Sequence, residues 1–207
     1  MKNVRKKTIS ANAFDKKYYR TGSYKDYKKI AGEWTGIVAK RVRKSFRDIH
    51  APRVLDVGCA HGYLLAALQE TGCEVRGMEY SSHAIRNAEK GVKGSIRKGS
   101  ILKKDTFKEN AFDAVVCLNV AEYISEADMP KGIRNLVRWT NGLIFFTTCF
   151  THSRYASQKH SPDPFRITVK TQKQWRELFK TCGAAYVKKF YDGGGGDVLI
   201  FKKRKNK

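Results

Sequence analysis

The chain has 207 residues, 41% of them hydrophobic and 12% aromatic, and a formal net charge of +23. That apolar content fills the core of one domain and excludes a wholly disordered chain. It also excludes a membrane-spanning helix, because the longest apolar stretches, such as Gly142 to Phe150, reach only about half of the roughly 20 residues a span needs.

The N-terminal decapeptide is basic without an apolar centre, so no secretory signal is expected. The cysteines, Cys59, Cys73, Cys117, Cys149 and Cys182, are odd in number and lack metal-ligand spacing. They read as buried, reduced thiols of a cytoplasmic protein. The charge is segregated. Residues 1–55 hold 16 Lys/Arg against 4 Asp/Glu, residues 56–150 hold 12 against 11, and residues 151–207 hold 14 against 4. Two basic flanks around a near-neutral middle suggest a shared face that meets an anion. Flanks that merely keep the protein soluble remain the alternative. The C-terminal Phe201-Lys-Lys-Arg-Lys-Asn-Lys207 reads as a frayed tail or a nuclear address.

In chain order, residues 1–25 form an arm with little regular structure, carrying Phe14, Tyr18, Tyr19 and Tyr24. Ile30, Trp34, Ile37, Val38, Val42 and Phe46 recur at helical spacing and predict a helix over Tyr27–Phe46 with those residues inward. Arg53–Val57 is a strand, Tyr63–Glu70 a helix stopped by Gly72, and Glu74–Tyr80 a second strand. Ser81 or Ser82 caps a helix to about Lys90. Ser95–Lys98 is a weak third strand, Phe112–Leu118 a fourth, and Gly142–Thr148 a fifth; Ser125 caps a helix to Trp139. A polar loop over 151–167 with Pro162 and Pro164 reads as functional. A helix over Thr171–Cys182 follows, with Trp175, Leu178 and Phe179 inward. Strands Ala185–Tyr191 and Val198–Lys202 then close a hairpin around the glycine run at 193–196. The alternation predicts an α/β fold: a doubly wound, mostly parallel seven-stranded sheet with a C-terminal antiparallel hairpin, in three layers. Residues 1–50 read as basic arm and lid helix, residues 51–207 as the core domain.

The stretch Val54-Leu-Asp-Val-Gly-Cys-Ala-His-Gly-Tyr63 carries the function. A strand ends, glycines turn the chain tightly, and a helix begins whose N-terminus offers N–H groups to a ligand. Glu79 follows 21 residues after Gly58, at the end of the second strand, where a carboxylate accepts hydrogen bonds from the vicinal hydroxyls of a ribose. A nicotinamide site calls for G-x-G-x-x-G; here the spacing is Gly58-x-x-x-Gly62 with Asp56 ahead of it.

This loop resembles the first motif of class I S-adenosylmethionine-dependent methyltransferases, D-x-G-x-G-x-G, with Ala60 in place of a common glycine. Gly77-Met-Glu79-Tyr-Ser is similar to the family's second-strand motif, and Phe112-Asp113 with Val115-Val-Cys-Leu-Asn119 to its fourth strand. The resemblance covers about residues 50–150 and implies S-adenosyl-L-methionine as cofactor. It places Asp56, Gly58, Cys59, Ala60, His61 and Gly62 in the cofactor loop. Glu79 lies on the ribose, Tyr80 beside the adenine, and Ser100 and Ile101 at the adenine edge, where Ser100 replaces the usual acid. Asn119, Val120 and Glu122 lie under the methionine moiety. Tyr18, Tyr19, Tyr24 and Tyr27 suit a lid, and Trp34 is expected to pack on the sheet.

Methyl transfer from a sulfonium is an in-line displacement that needs alignment first and a base only for some acceptors. His152 and His160, in the loop after the fifth strand, are the candidate catalytic bases, and no metal is expected. Asn119-Val-Ala-Glu122 lacks the Asn/Asp-Pro-Pro-aromatic sequence of amino-methylating nucleic-acid enzymes, and no Pro-Cys context supports carbon-5 methylation of a pyrimidine. A small, polar or anionic acceptor is therefore favoured. RNA or another nucleic acid as acceptor, and a non-catalytic module that senses the cofactor and binds nucleic acid, are the alternatives. A nicotinamide oxidoreductase is a weaker third.

Overall fold

A computed structural model describes residues 7–21, 27–151, 163–193 and 196–204. Among these residues six α-helices and seven strands run in the order α1 (Tyr27–Lys44), β1 (Arg53–Val57), α2 (Tyr63–Glu70), β2 (Glu74–Glu79), α3 (Ser82–Arg86), α4 (Lys90–Lys93), β3 (Ile96–Lys98), β4 (Phe112–Leu118), α5 (Met129–Trp139), β5 (Thr140–Thr147), α6 (Gln172–Thr181), β6 (Ala184–Tyr191) and β7 (Asp197–Lys203). One seven-stranded sheet has the order β3-β2-β1-β4-β5-β7-β6. β1 to β5 pair in parallel, and β7 runs antiparallel to both β5 and β6. The mostly parallel sheet with its C-terminal hairpin is the fold expected from the alternation.

Strand parity divides the core. Val54, Ala114, Val116, Phe145, Val198 and Ile200 face α1 and α2. Leu55, Val115, Cys117, Phe146, Leu199 and Phe201 face α5 and α6. Both faces are covered, which is why β4 and β5 read as continuous apolar runs rather than alternating ones. All five cysteines are buried, and none is in a disulfide among the described residues.

Several boundaries differ from the sequence reading. The arm forms two single 3-10 turns, Ala11–Ala13 and Tyr18–Arg20. Helix α1 ends at Lys44 and buries Ala31, Thr35, Val38, Ala39 and Val42, while Ile30 and Ile37 are exposed and Trp34 and Phe46 are half-buried. Small residues on the buried stripe let α1 lie close to its neighbours, which turns the bulky isoleucines outward. The helix expected from Ser81 to Lys90 breaks into α3, capped by the Ser81 hydroxyl, and α4. Helix α5 begins four residues later than Ser125. The Ser125 hydroxyl instead donates to Asp128 Oδ2 at 2.8 Å, and Pro130 occupies the first turn. Helix α6 begins with a reciprocal capping box between Thr171 and Gln174.

Candidate active site

The C-terminal ends of the parallel strands converge on a cavity of about 1240 Å³. In a doubly wound sheet this edge is where loops leave room for a ligand. Of the cofactor residues inferred from sequence, Asp56, Gly58, Cys59 and Ala60 line it from the β1–α2 loop, and Glu79 and Tyr80 from the end of β2. Ser100 and Ile101 line it after β3; Asn119, Val120 and Glu122 line it after β4. His61 and Gly62 are not on its wall. Gly62 caps α2 at φ 78°, and His61 packs among Tyr19, Tyr27 and Tyr63. His152, His160 and Tyr24 lie outside the described residues.

The loop conformation follows from the glycines. Gly58 has φ 74°, and a Cβ there would lie 2.2 Å from Val120 Cγ2, so the Val120 side chain packs on the Gly58 backbone in the space a side chain would need. Ala60 (φ 47°) and Asn119 (φ 54°) take the left-handed region without being glycine. Two such residues on one cavity wall mark a shape held by the surrounding structure.

Among the carboxylates that line the cavity, three are buried at or just past the ends of β1, β2 and β4: Asp56 (4% exposed), Glu79 (6%) and Glu122 (2%). Glu79 Oε2 accepts from the Ala60 N–H at 2.8 Å and Oε1 from the Ser81 N–H at 2.6 Å, tying the glycine loop to the turn after β2. Glu122 accepts from the Thr148 hydroxyl at 2.5 Å. Burial pushes Glu79 and Glu122 above the usual carboxylate range, and burial with the nearby Glu79 charge lifts Asp56 to about 8. Buried acids facing a cavity suit a ligand that brings hydroxyl donors and positive charge. Burial also raises the Cys59 and Cys117 thiols, which removes either as a ready nucleophile.

The arm crosses the cavity and is fixed at both rims. The Ile9 N–H donates to Tyr123 O at 3.1 Å, and the Ser81 hydroxyl donates to Phe14 O at 2.5 Å. The Tyr18 hydroxyl lies 2.9 Å from that of Tyr123, and Tyr123 donates to Asp163 Oδ2 at 2.7 Å. Asp163 and Arg166, also on the wall, were missed in the sequence. They belong to the polar stretch after β5, where nothing in the residue pattern marks them.

Comparison with known proteins decides the family. A family model described as a methyltransferase domain matches residues 27–189, most of the chain. The chain belongs to the methyltransferase domain family. Its fold is the Rossmann-like α/β fold of class I methyltransferases. The ubiquinone biosynthesis O-methyltransferase of Bordetella avium is 29% identical over 107 residues, covering 49% of this chain and 44% of that protein. The chain thus spans about half the length of the curated relatives it matches. Among solved structures, the complex of the Haloferax volcanii Trm112 methyltransferase activator with a methyltransferase gives a TM-score of 0.73 at 15% identity, covering 96% of this chain and 99% of that one. Magnesium protoporphyrin IX methyltransferase of Synechocystis PCC 6803 with bound SAM gives 0.70 at 14% identity, covering 93% and 94%. These two likenesses are of fold.

Proposed function

We propose that this methyltransferase acts on a small, polar or anionic acceptor. The size of the cavity carries the reading. At about 1240 Å³ it exceeds the roughly 300–1,000 Å³ of one small-molecule site, leaving room for cofactor and acceptor together. Its wall also changes character. The β1, β2 and β4 loops supply backbone and carboxylates, while Tyr27, Ile30, Trp34 and Tyr191 line another part with aromatic and aliphatic surface, among which stand Lys173 and the acids Glu33, Asp192 and Asp197.

Bound S-adenosylmethionine supplies the methyl group and its own leaving group. Glu79 holds the ribose hydroxyls. Tyr80, Ser100 and Ile101 border the adenine, and Asn119, Val120, Glu122 and Asp56 face the methionine end. The arm covers both ligands and keeps water out, its Tyr18 joined to Tyr123 and Asp163. Relatives named as ubiquinone biosynthesis O-methyltransferases support a small acceptor methylated on oxygen.

The test is incubation of the protein with methyl-labelled cofactor and a total cell extract. Label in solvent-soluble metabolites is expected. Label in RNA or protein overturns the acceptor class. Absence of label in every fraction, with S-adenosylhomocysteine binding intact by calorimetry, replaces the enzyme with a cofactor-sensing module.

A further inference from the structure

We propose that the outer face of the C-terminal half of α1, with the groove beside it, docks the phosphate backbone of RNA. Helix α1 buries Val38, Ala39 and Val42 in the core, which leaves Lys40, Arg41 and Lys44 exposed; Arg47 follows in the next turn. Between this end of α1 and Thr71, just past α2, lies a groove of about 310 Å³. Its wall is Lys40, Arg43, Lys44, Arg47 and Thr71, four cations and a hydroxyl without a carboxylate. Arg43 is fixed there: its guanidinium donates to Phe46 O at 2.7 Å and to His50 O at 3.4 Å.

The C-terminal basic segment reaches the same side of the sheet. The Arg41 guanidinium sits 5.7 Å from the centre of the Phe190 ring on β6. Lys188 pairs with Ile200, and Lys202 with Leu143, both of which pack on the α1 side. Both lysines are exposed. Among the described residues, none of these seven cations forms an ion pair, whereas Lys189 and Lys203 are paired with Asp197 and Glu109. Asp48 is the single acid within residues 40–50.

The chemistry favours a phosphodiester chain over a lipid surface. An interfacial helix presents a continuous apolar face to the bilayer, but Val38, Ala39 and Val42 of α1 are buried in the core, and on the outer face the exposed Ile37 stands among Lys40, Arg41 and Lys44. A concave slot walled by arginine and lysine matches a chain of phosphates. No groove residue lines the cofactor cavity, although Tyr27, Ile30 and Trp34 at the other end of α1 do. RNA bound here lies beside the enzyme without filling the acceptor site, so the inference is independent of the acceptor class.

The full chain is titrated into fluorescein-labelled RNA of about 20 nucleotides, read by anisotropy at several salt concentrations. A K40E/K44E/R47E variant is compared with K103E/K104E/K108E, which makes the same charge change in the β3–β4 connection, whose Phe107 packs into the α5 side. Loss of at least about tenfold in affinity is expected for the groove variant, with the log–log salt slope reduced by about 2. Less than about threefold is expected for the control, with the dissociation constant of S-adenosylhomocysteine unchanged in both, which shows that the fold survives. Equal losses in the two variants overturn the proposal, since net charge alone would then bind RNA. Binding to phosphatidylserine vesicles without binding to RNA overturns it in favour of a lipid surface.

Discussion

Both oxygens of the Glu79 carboxylate accept a backbone N–H, from Ala60 and from Ser81. A carboxylate offers about four acceptor positions, so two remain for a ribose. Glu79→Gln leaves one acceptor oxygen and turns an NH2 toward one of those N–H groups. Affinity for S-adenosylhomocysteine is expected to fall at least about tenfold, roughly 1.4 kcal/mol, by calorimetry; an unchanged constant would take the carboxylate off the ribose. Asp56 supplies a pH dependence. Its ordinary value of 3.8 is lifted to about 8, so the folded protein keeps a proton that the unfolded chain releases, and this contribution to stability is lost as pH rises across that window. The sulfonium and ammonium of S-adenosylmethionine are cations, and a cation bound beside a carboxyl lowers its pKa. Cofactor binding near neutral pH should therefore release protons, and affinity should rise with pH until about 8. Calorimetry in two buffers of different ionisation enthalpy reads the release, and Asp56→Asn should remove most of it. Glu79 was legible because its distance from Gly58 is fixed by one βα unit. Asp163 was not, because it meets Tyr18 and Tyr123 only through the fold.

At the level of elements, α1 carries two glycines that the fold does not require. A Cβ added at Gly32 or Gly36 meets nothing within 4 Å, and neither has positive φ. Interior helical glycine costs about 0.5–1 kcal/mol relative to alanine. Gly32→Ala and Gly36→Ala should each raise the melting temperature by about 2–4 °C, measured by scanning calorimetry. A fall in both would mean that another surface approaches this face. The strands β1 and β4 were readable to the residue, since an apolar run bounded by Pro52 and Gly58, or by Asn110 and Asn119, has few other uses. The face of α1 was less so. Periodicity located the helix, but Ile30 and Ile37, bulky and in phase with the stripe, lie outside it because Ala31, Thr35 and Ala39 make the close contact. The arm has no periodicity at all. Its place across the cavity depends on single bonds such as Ser81 to Phe14 and Thr8 to Asp128, at 2.5 and 2.6 Å.

Over the whole molecule, alternation of helix and strand was enough to specify the sheet, while the meeting of the two basic flanks on the α1 side became visible only when Arg41 was seen against Phe190. The charge itself has a consequence for stability. With a net +23, like charges repel across a compact surface, and unfolding relieves that repulsion. The opposing contribution is small. The ion pairs among the described residues, such as Lys28–Glu89 and Lys180–Glu177, are largely exposed, and exposed pairs are worth about 0–1 kcal/mol each. Added salt screens both, with a Debye length falling from about 30 Å at 0.01 M to about 8 Å at 0.15 M. Long-range repulsion among many lysines is lost before short contacts are. The melting temperature should therefore rise with sodium chloride over that range, and the groove variant K40E/K44E/R47E, with six charges fewer, should respond less steeply. A melting temperature that falls with salt would mean that the ion pairs, and not the excess of cations, set the electrostatic balance of this fold.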